Sequence, residues 1–325
     1  MRGMAAHSLI AHAPTRLDFG GGWTDVPPYP EERGGFVCNV AIERRATVRL
    51  TVASAPHESH GELVTAACSH AGVSDAHISL TSDFPYGAGL GGSSAAGVAL
   101  AAALAHWNGT SPTLSELAEA SRYVETSGLH LAGGFQDHYA AAYGGALALT
   151  FEDQVHVRRL AISAETFAAL ETRSVLIYTG ESRISGETIT AVLDAYNDRS
   201  SHVVRALEQM KALAVSMTHT LERGDIDTLG ALIGEHWTHQ RALHPRISTP
   251  RIDAITEQAY KAGALGLKAL GASGGGCVLV IAPANAVNRI AEAVAPYGER
   301  LDWRIARTGV QVREDLPLSP DHVSG

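Results

Sequence analysis

The sequence predicts an α+β fold built from two domains. Segments with strand character are grouped instead of alternating strictly with helices, and four helical segments follow one another between residues 185 and 263; a doubly wound sheet would alternate. A chain of 325 residues, 45% hydrophobic, has the size of one large domain or two ordinary ones and enough apolar side chains for a real core. A glycine-rich run also joins a strand directly to an alanine-rich helix, which fixes one structural junction before any other is known.

In chain order, residues 1–12 carry no clear periodicity and read as a frayed end. Residues 36–42 and 46–52 read as two strands, the second with clear alternation. Residues 78–83 form a strand that feeds the glycines, and the helix after them runs to about Trp107. Residues 114–125 read as a second helix and 138–143 as a short third one. Residues 144–151 and 155–160 pair as a hairpin, and 174–179 is a buried strand. Long helices are expected over 185–197, 201–223, 226–240 and 249–263, then a late strand over 278–282 and an aperiodic tail from 314. A boundary near 160–172 divides the chain into domains at 10–165 and 172–313.

Composition limits the function classes. The formal net charge of −9 argues against a nucleic-acid partner, which selects a basic face. The longest apolar run, 95–105, is far short of the roughly 20 residues of a membrane helix. No charged segment with an apolar follower precedes Ala13, so no secretory leader is expected. Cys38, Cys68 and Cys277 are odd in number and lack close spacing, which fits reduced thiols in the cytoplasm. The sixteen histidines are scattered; the pairs His57/His60 and His236/His239 have helical spacing, but no third ligand accompanies either, so exposed or internally satisfied histidines are expected over a metal site.

The run Pro85-Tyr-Gly-Ala-Gly-Leu-Gly-Gly-Ser-Ser-Ala95 carries the chemistry. Gly87, Gly89, Gly91 and Gly92 allow positive φ and close backbone approach to an anion. The helix that follows turns free N–H groups and its positive dipole end toward that anion, and the hydroxyls of Ser93 and Ser94 can hold a phosphate oxygen or a Mg²⁺ ion. A P-loop would need Lys before Ser or Thr, and the only lysines are Lys211, Lys261 and Lys268. Gly87, Gly89 and Gly92 satisfy a dinucleotide G-x-G-x-x-G literally, but the helical segment 114–125 follows where that motif needs a strand. A plain turn packing helix on sheet would need fewer glycines.

These residues resemble the ATP-binding signature of the GHMP kinases, and three further blocks agree in order: APTRLDFGGGWTDVPP at 13–28, GGFQDHYAAAYGG at 133–145 and LGASGGGCVLV at 270–280. The resemblance covers about residues 10–310. Within the family, the 13–28 and 133–145 blocks are most similar to D-glycero-D-manno-heptose 7-phosphate kinases, then to L-fucose kinases. It implies an N-terminal α+β domain, a ferredoxin-like C-terminal domain and an active site in the cleft between them. It also implies ATP and Mg²⁺ as cofactors and a sugar or sugar phosphate as partner; a homodimer is carried as the candidate assembly.

Asp137, among glycines and alanines, is either a partly desolvated acceptor for a substrate hydroxyl proton or a helix-capping Asp; the resemblance implies the catalytic role. Arg16 would neighbour it and stabilise transferred charge, against a plain surface salt bridge. Pro85, Gly87, Gly89, Leu90, Gly91, Gly92, Ser93, Ser94 and Ala95 would hold ATP. Gly22, Thr24 and Asp25, at a turn before two prolines where Asp is common anyway, would orient the acceptor sugar, with Arg183, Gly274 and Gly275. The resemblance implies one of Ser93 and Ser94 as a metal ligand, Ser93 before Ser94, and Glu125 as the second, although Glu125 also suits an ordinary solvated helix position. Arg241, Arg246 and Lys268 are weaker phosphate candidates. The chain departs from the heptose kinases at Phe135 and Gln240, where a basic residue is usual.

Overall fold

The computed structural model describes residues 8–52, 61–130, 132–181 and 186–314. Its ten strands are β1 (Ser8–Gly20), β2 (Gly35–Val52), β3 (Ala76–Ser82), β4 (Ala146–Phe151), β5 (Val155–Arg159), β6 (Ser174–Tyr178), β7 (Gly266–Ala269), β8 (Cys277–Ile281), β9 (Glu299–Arg300) and β10 (Gln311–Glu314). Two sheets result, one in the order β10-β1-β2-β4-β5 with β3 also on β2, the other in the order β7-β8-β6-β9. Every pairing in both is antiparallel, so the fold is α+β as the grouped strands predict.

The N-terminal end differs from expectation. Residues from Ser8 onward are not frayed but form the long strand β1, held between β2 and β10. Leu9, Ala11 and Ala13 are sealed against the first core, and Leu17 and Phe19 against the second. The pattern is hard to read locally because burial on both faces removes the alternation. Residues 36–42 and 46–52 are likewise one strand, β2: its first half pairs with β4 and its second half with β3. Exposed or half-exposed Glu43, Arg44 and Arg45 interrupt the apolar pattern without ending the strand, beside a register shift at Pro14/Thr15 of β1.

The helix Gly92–Trp107 is rich in alanine because it must lie close to its neighbours. Ala95, Ala99 and Ala103 are fully buried, and a Cβ on Gly97 would stand 2.3 Å from the Ser121 hydroxyl of the helix Leu114–Tyr123. That second helix starts on a capping box of Thr113 and Glu116 and runs into a π-helical turn, Val124–Gly128. The helices Gly186–Asn197, Ser201–Glu222, Ile226–Ala242 and Pro250–Lys261 match the four expected. Helix Ile226–Ala242 sits directly on β7, since a Cβ on Gly266 would fall 1.8 Å from the Gly230 carbonyl oxygen. Four helices, Tyr29–Arg33, Glu62–Ala71, Ala164–Thr172 and Val287–Val294, and the short strands β7, β9 and β10 have no counterpart in the expectations. The strand β10 brings the end of the described chain back to the first sheet; residues 315–325 lie outside the described ones.

Candidate functional site

The glycine run forms a tight cradle. Gly87, Gly89 and Gly91 all take positive φ, at 68°, 73° and 75°. Gly91 caps the helix Gly92–Trp107 and offers no side chain to its first-turn N–H groups, so these remain available to an anion. The C-terminal glycine motif packs against the cradle backbone to backbone. The Cys277 N–H donates to the Ala88 carbonyl at 2.8 Å, and a Cβ on Gly276 would lie 2.8 Å from the same oxygen. A Cβ on Gly89 would lie 2.7 Å from the Leu270 carbonyl. Side chains at these positions would push the two motifs apart.

Beside the cradle lies a cleft of about 240 Å³ whose wall includes Arg16, Asp18, Gly22, Asp25, Glu125 and Asp137. Residues distant in sequence meet here. The Arg16 guanidinium grips Asp137 with two hydrogen bonds, Nε to Oδ1 at 2.7 Å and Nη2 to Oδ2 at 2.8 Å, and donates a third to the Gly89 carbonyl at 2.6 Å. Arg16 is thus tied to the acid and the cradle at once. Asp137 is the second residue of the helix Gln136–Tyr143, whose N-cap Phe135 makes no side-chain cap, so Asp137 is not a capping residue. Burial lifts its carboxyl above the usual range, with Arg16 pulling the other way. A Cβ on Gly91 would stand 3.0 Å from the Asp137 carboxyl carbon, so the helix start and the acid are in contact distance.

Asp25 is buried and accepts from the Gln136 N–H at 2.9 Å. Burial, with the fields of Asp137 and Asp18, raises its carboxyl to about 7. Gly134 leaves room for it, since a Cβ there would stand 2.1 Å from Oδ2. Thr24 is different. Its hydroxyl donates to the Gly21 carbonyl at 2.7 Å and accepts from the Phe36 N–H at 3.1 Å. It braces the glycine turn and does not face the cleft, which removes it from the expected acceptor contacts. Gly274 and Gly275 are buried behind the wall, with the Gly274 N–H on the Ile247 carbonyl; Gly271 and Ala272 face the cleft in their place.

Glu125 sits on the π-helical turn with its side chain 16% exposed. The hydroxyl of Ser94 donates to its Oε2 at 3.2 Å, and Ser93 also bonds it. Burial and the nearby Asp137 lift its carboxyl to about 7. Ser93 is exposed while Ser94 is buried. His138 closes this cluster and was not among the expected site residues. Its Nε2 is 3.3 Å from Glu125 Oε2, and its Nδ1 is 2.9 Å from the Ser121 hydroxyl. Burial holds the ring down to about 3, so it is neutral. The neutral ring thus sits with one nitrogen on the Ser121 hydroxyl and the other beside the Glu125 carboxyl. Oxygen donors from one carboxylate and two hydroxyls beside a phosphate cradle suit Mg²⁺, which prefers hard ligands and few of them from protein.

The expected phosphate contacts do not assemble within the described residues. Arg183 lies outside them, as do His57 and His60. Lys268 is fully buried and bonded to Asp18. Arg241 and Arg246 pair with Asp253 and Glu187 at the surface. Phe135 lies under the Arg122 guanidinium at 3.7 Å from its ring centre. The Gln240 amide donates to the Gly271 carbonyl and the Ser273 hydroxyl, propping the C-terminal glycine loop. His236, fully buried, accepts the Gly21 N–H at 2.9 Å and serves the turn rather than a metal.

Comparison with known proteins gives the family and the fold. Residues 60–145 match the model of the GHMP kinases N terminal domain, and 217–299 match that of the GHMP kinases C terminal. The chain is 27% identical to a D-glycero-alpha-D-manno-heptose 7-phosphate kinase from Campylobacter jejuni, over 94% of this chain and 98% of that protein. It is also 27% identical to an L-fucokinase/L-fucose-1-P guanylyltransferase from Bacteroides fragilis, over 83% of this chain; there it spans only about a third of the relative, 34% of its length. The structure superimposes on a D-glycero-D-manno-heptose 1-phosphate kinase from Bacteroides thetaiotaomicron with a TM-score of 0.76. The superposition covers 94% of this chain and 98% of that one, and at 22% identity it speaks for the fold.

Proposed function

The chain belongs to the GHMP kinase family, and we propose that it transfers the γ-phosphoryl group of ATP to the anomeric hydroxyl of D-glycero-D-manno-heptose 7-phosphate. The observation that carries this is the two-pronged Arg16–Asp137 pair anchored on the cradle carbonyl of Gly89. It sets a carboxylate and a fixed positive charge where cradle and cleft meet. Asp137 accepts the proton of the acceptor hydroxyl as that oxygen bonds to the γ-phosphorus and the bond to the β-phosphate oxygen breaks. Arg16 holds the carboxylate in place and offsets the charge on the transferred group. Backbone N–H groups at 92–94 and the glycines from Gly87 to Gly92 cradle the phosphates, flanked by Pro85, Leu90 and Ala95.

Glu125 with the Ser93 hydroxyl would hold Mg²⁺, with Ser94 and His138 fixing the carboxylate. The ion, when bound, neutralises phosphate charge. Asp25 would accept hydrogen bonds from neighbouring sugar hydroxyls, with Gly22 leaving the space. We further place an ATP-binding domain at 10–165 and a second domain at 172–313, the strand Gln311–Glu314 returning to the first sheet, and we place the reaction in the cytoplasm. Among the described residues no helix is long and apolar enough to cross a membrane.

One observation favours a second acceptor class. The positions where heptose kinases carry a basic residue are Phe135 and Gln240, both engaged elsewhere, so a neutral sugar such as L-fucose is the competing acceptor. Arg183, in TGESRIS at 179–185, is then the deciding cation. Comparing kcat/KM for heptose 7-phosphate and L-fucose by ADP release tests the reading: preference for the phosphorylated sugar supports it, and preference for L-fucose replaces it.

A further inference from the structure

We propose that Asp18 is a third carboxylate of the acceptor site, a receiver for a sugar hydroxyl that Lys268 sets in place; the assignment rests on the sugar-kinase reading above. Asp18 and Lys268 are 250 residues apart, one on β1 of the first sheet and the other on β7 of the second. Lys268 is fully buried and donates from Nζ to Asp18 Oδ2 at 2.8 Å. The other oxygen, Oδ1, is covered from water and has no hydrogen-bond partner. Asp18 nonetheless forms part of the cleft wall with Arg16, Asp25 and Asp137.

A wholly buried ion pair is a poor stabiliser, because the cost of taking both charges out of water offsets most of their attraction. A buried carboxylate oxygen left without a donor adds a further cost. Both features are explained if the donor arrives with the substrate. A sugar hydroxyl is neutral and carries one proton, which suits a lone acceptor; a phosphate there would meet the repulsion of Asp18, Asp25 and Asp137 together. Lys268 occupies Oδ2, so the incoming hydroxyl has one oxygen to find and one orientation. Because Oδ1 is covered, the contact forms by a slight yielding of the wall and excludes water once made. The glycine turn lies hard against this carboxylate, with a Cβ on Gly22 falling 2.4 Å from Oδ2. The field of Asp18 also helps to raise the carboxyls of Asp25 and Asp137, which places the three groups in one electrostatic cluster.

The test uses the full chain and the acceptor that the wild-type protein phosphorylates. Asp18→Asn with Lys268→Met removes both charges together and leaves no unpaired buried ion; Asp18→Asn alone is the second variant. The double variant is expected to melt near the wild-type temperature and to keep its KM for ATP within about threefold. Its kcat/KM for the acceptor should fall about 10- to 100-fold, the range of a charge-assisted hydrogen bond. One deoxy analogue of the acceptor should be penalised by the wild type and not by the variant. Unchanged acceptor parameters in either folded variant overturn the assignment, as does an equal fall for ATP and acceptor, which marks the pair as a structural tie. Wild-type protein that releases no ADP with any sugar overturns the sugar-kinase reading, and the assignment with it.

Discussion

Replacing Asp137 by Asn is the sharpest perturbation of the proposed mechanism, because it keeps the shape and removes the charge. Arg16 now donates to both carboxylate oxygens, at 2.7 and 2.8 Å. An amide can accept at one of them only, and its NH₂ group then faces a guanidinium N–H. One charge-assisted bond is lost, worth roughly 1.5–3 kcal/mol, and the rate loses its proton acceptor, worth about 10²–10⁴ in kcat. ATP binding should change little. Arg16 keeps its bond to the Gly89 carbonyl at 2.6 Å, and the cradle backbone is not touched. A second consequence follows from charge alone. Asp137 is one of the groups that raise Glu125 to about 7, so its neutralisation lets Glu125 ionise at lower pH. Coupled ADP-release kinetics at saturating ATP and acceptor, with calorimetric melting to verify folding, is the assay. We expect kcat to fall at least 100-fold with KM for ATP within a few-fold. A folded variant with kcat within about tenfold of wild type refutes the role of Asp137 as proton acceptor.

Ser93→Ala should raise the Mg²⁺ and ATP concentrations needed for half-maximal rate more than Ser94→Ala does; the reverse order in a Mg²⁺ titration shifts the ligand by one residue. Asp25→Asn should raise the melting temperature at pH 8 while abolishing acceptor turnover. The sign follows from linkage: its carboxyl is raised to about 7 in the fold, so the folded protein binds more protons than the unfolded chain between pH 4 and 7. Stability therefore falls as pH rises through that window, by on the order of 2–4 kcal/mol for this group; a melting curve whose pH dependence is unchanged by the substitution contradicts it. Gly276→Ala forces a side chain to a φ of 77° and 2.8 Å from the Ala88 carbonyl; it should destabilise by about 2–4 kcal/mol and raise KM for ATP, both readable by melting and steady-state kinetics. Arg183→Ala should lower kcat/KM for a phosphorylated sugar about 10- to 100-fold and spare a neutral one; equal loss on both assigns Arg183 to ATP or to folding.

The cradle was legible in the sequence because its demands are local. Positive φ at Gly87, Gly89 and Gly91 and an uncapped helix start leave few other residues that fit. The four long helices after residue 185 were legible from periodicity for the same reason. What needed the structure is what forms across distance. Asp137 alone reads as acid or cap; the observed helix start, with Phe135 as its N-cap, and Arg16, 121 residues earlier, separate the two. Lys268 reads as a free cation until Asp18 is found beside it. Thr24 sits next to Asp25 in the chain, yet its hydroxyl turns to the Gly21 and Phe36 backbone instead of the cleft. His138 follows Asp137 directly and passed for one more scattered histidine, because nothing local marks a ring held between Ser121 and Glu125. The strand β1 escaped because both its faces are buried, which erases the two-residue rhythm that reveals a strand.

Phosphoryl transfer to the anomeric oxygen of a phosphorylated heptose leaves two phosphomonoesters on one sugar. Phosphorus NMR of a reaction holding the protein, ATP, Mg²⁺ and D-glycero-D-manno-heptose 7-phosphate tests it most directly. We expect loss of the γ-phosphate signal, growth of ADP, and a new phosphomonoester resonance coupled to the anomeric proton while the 7-phosphate resonance persists. An unchanged γ-phosphate signal with this sugar, alongside transfer to L-fucose under the same conditions, would contradict it.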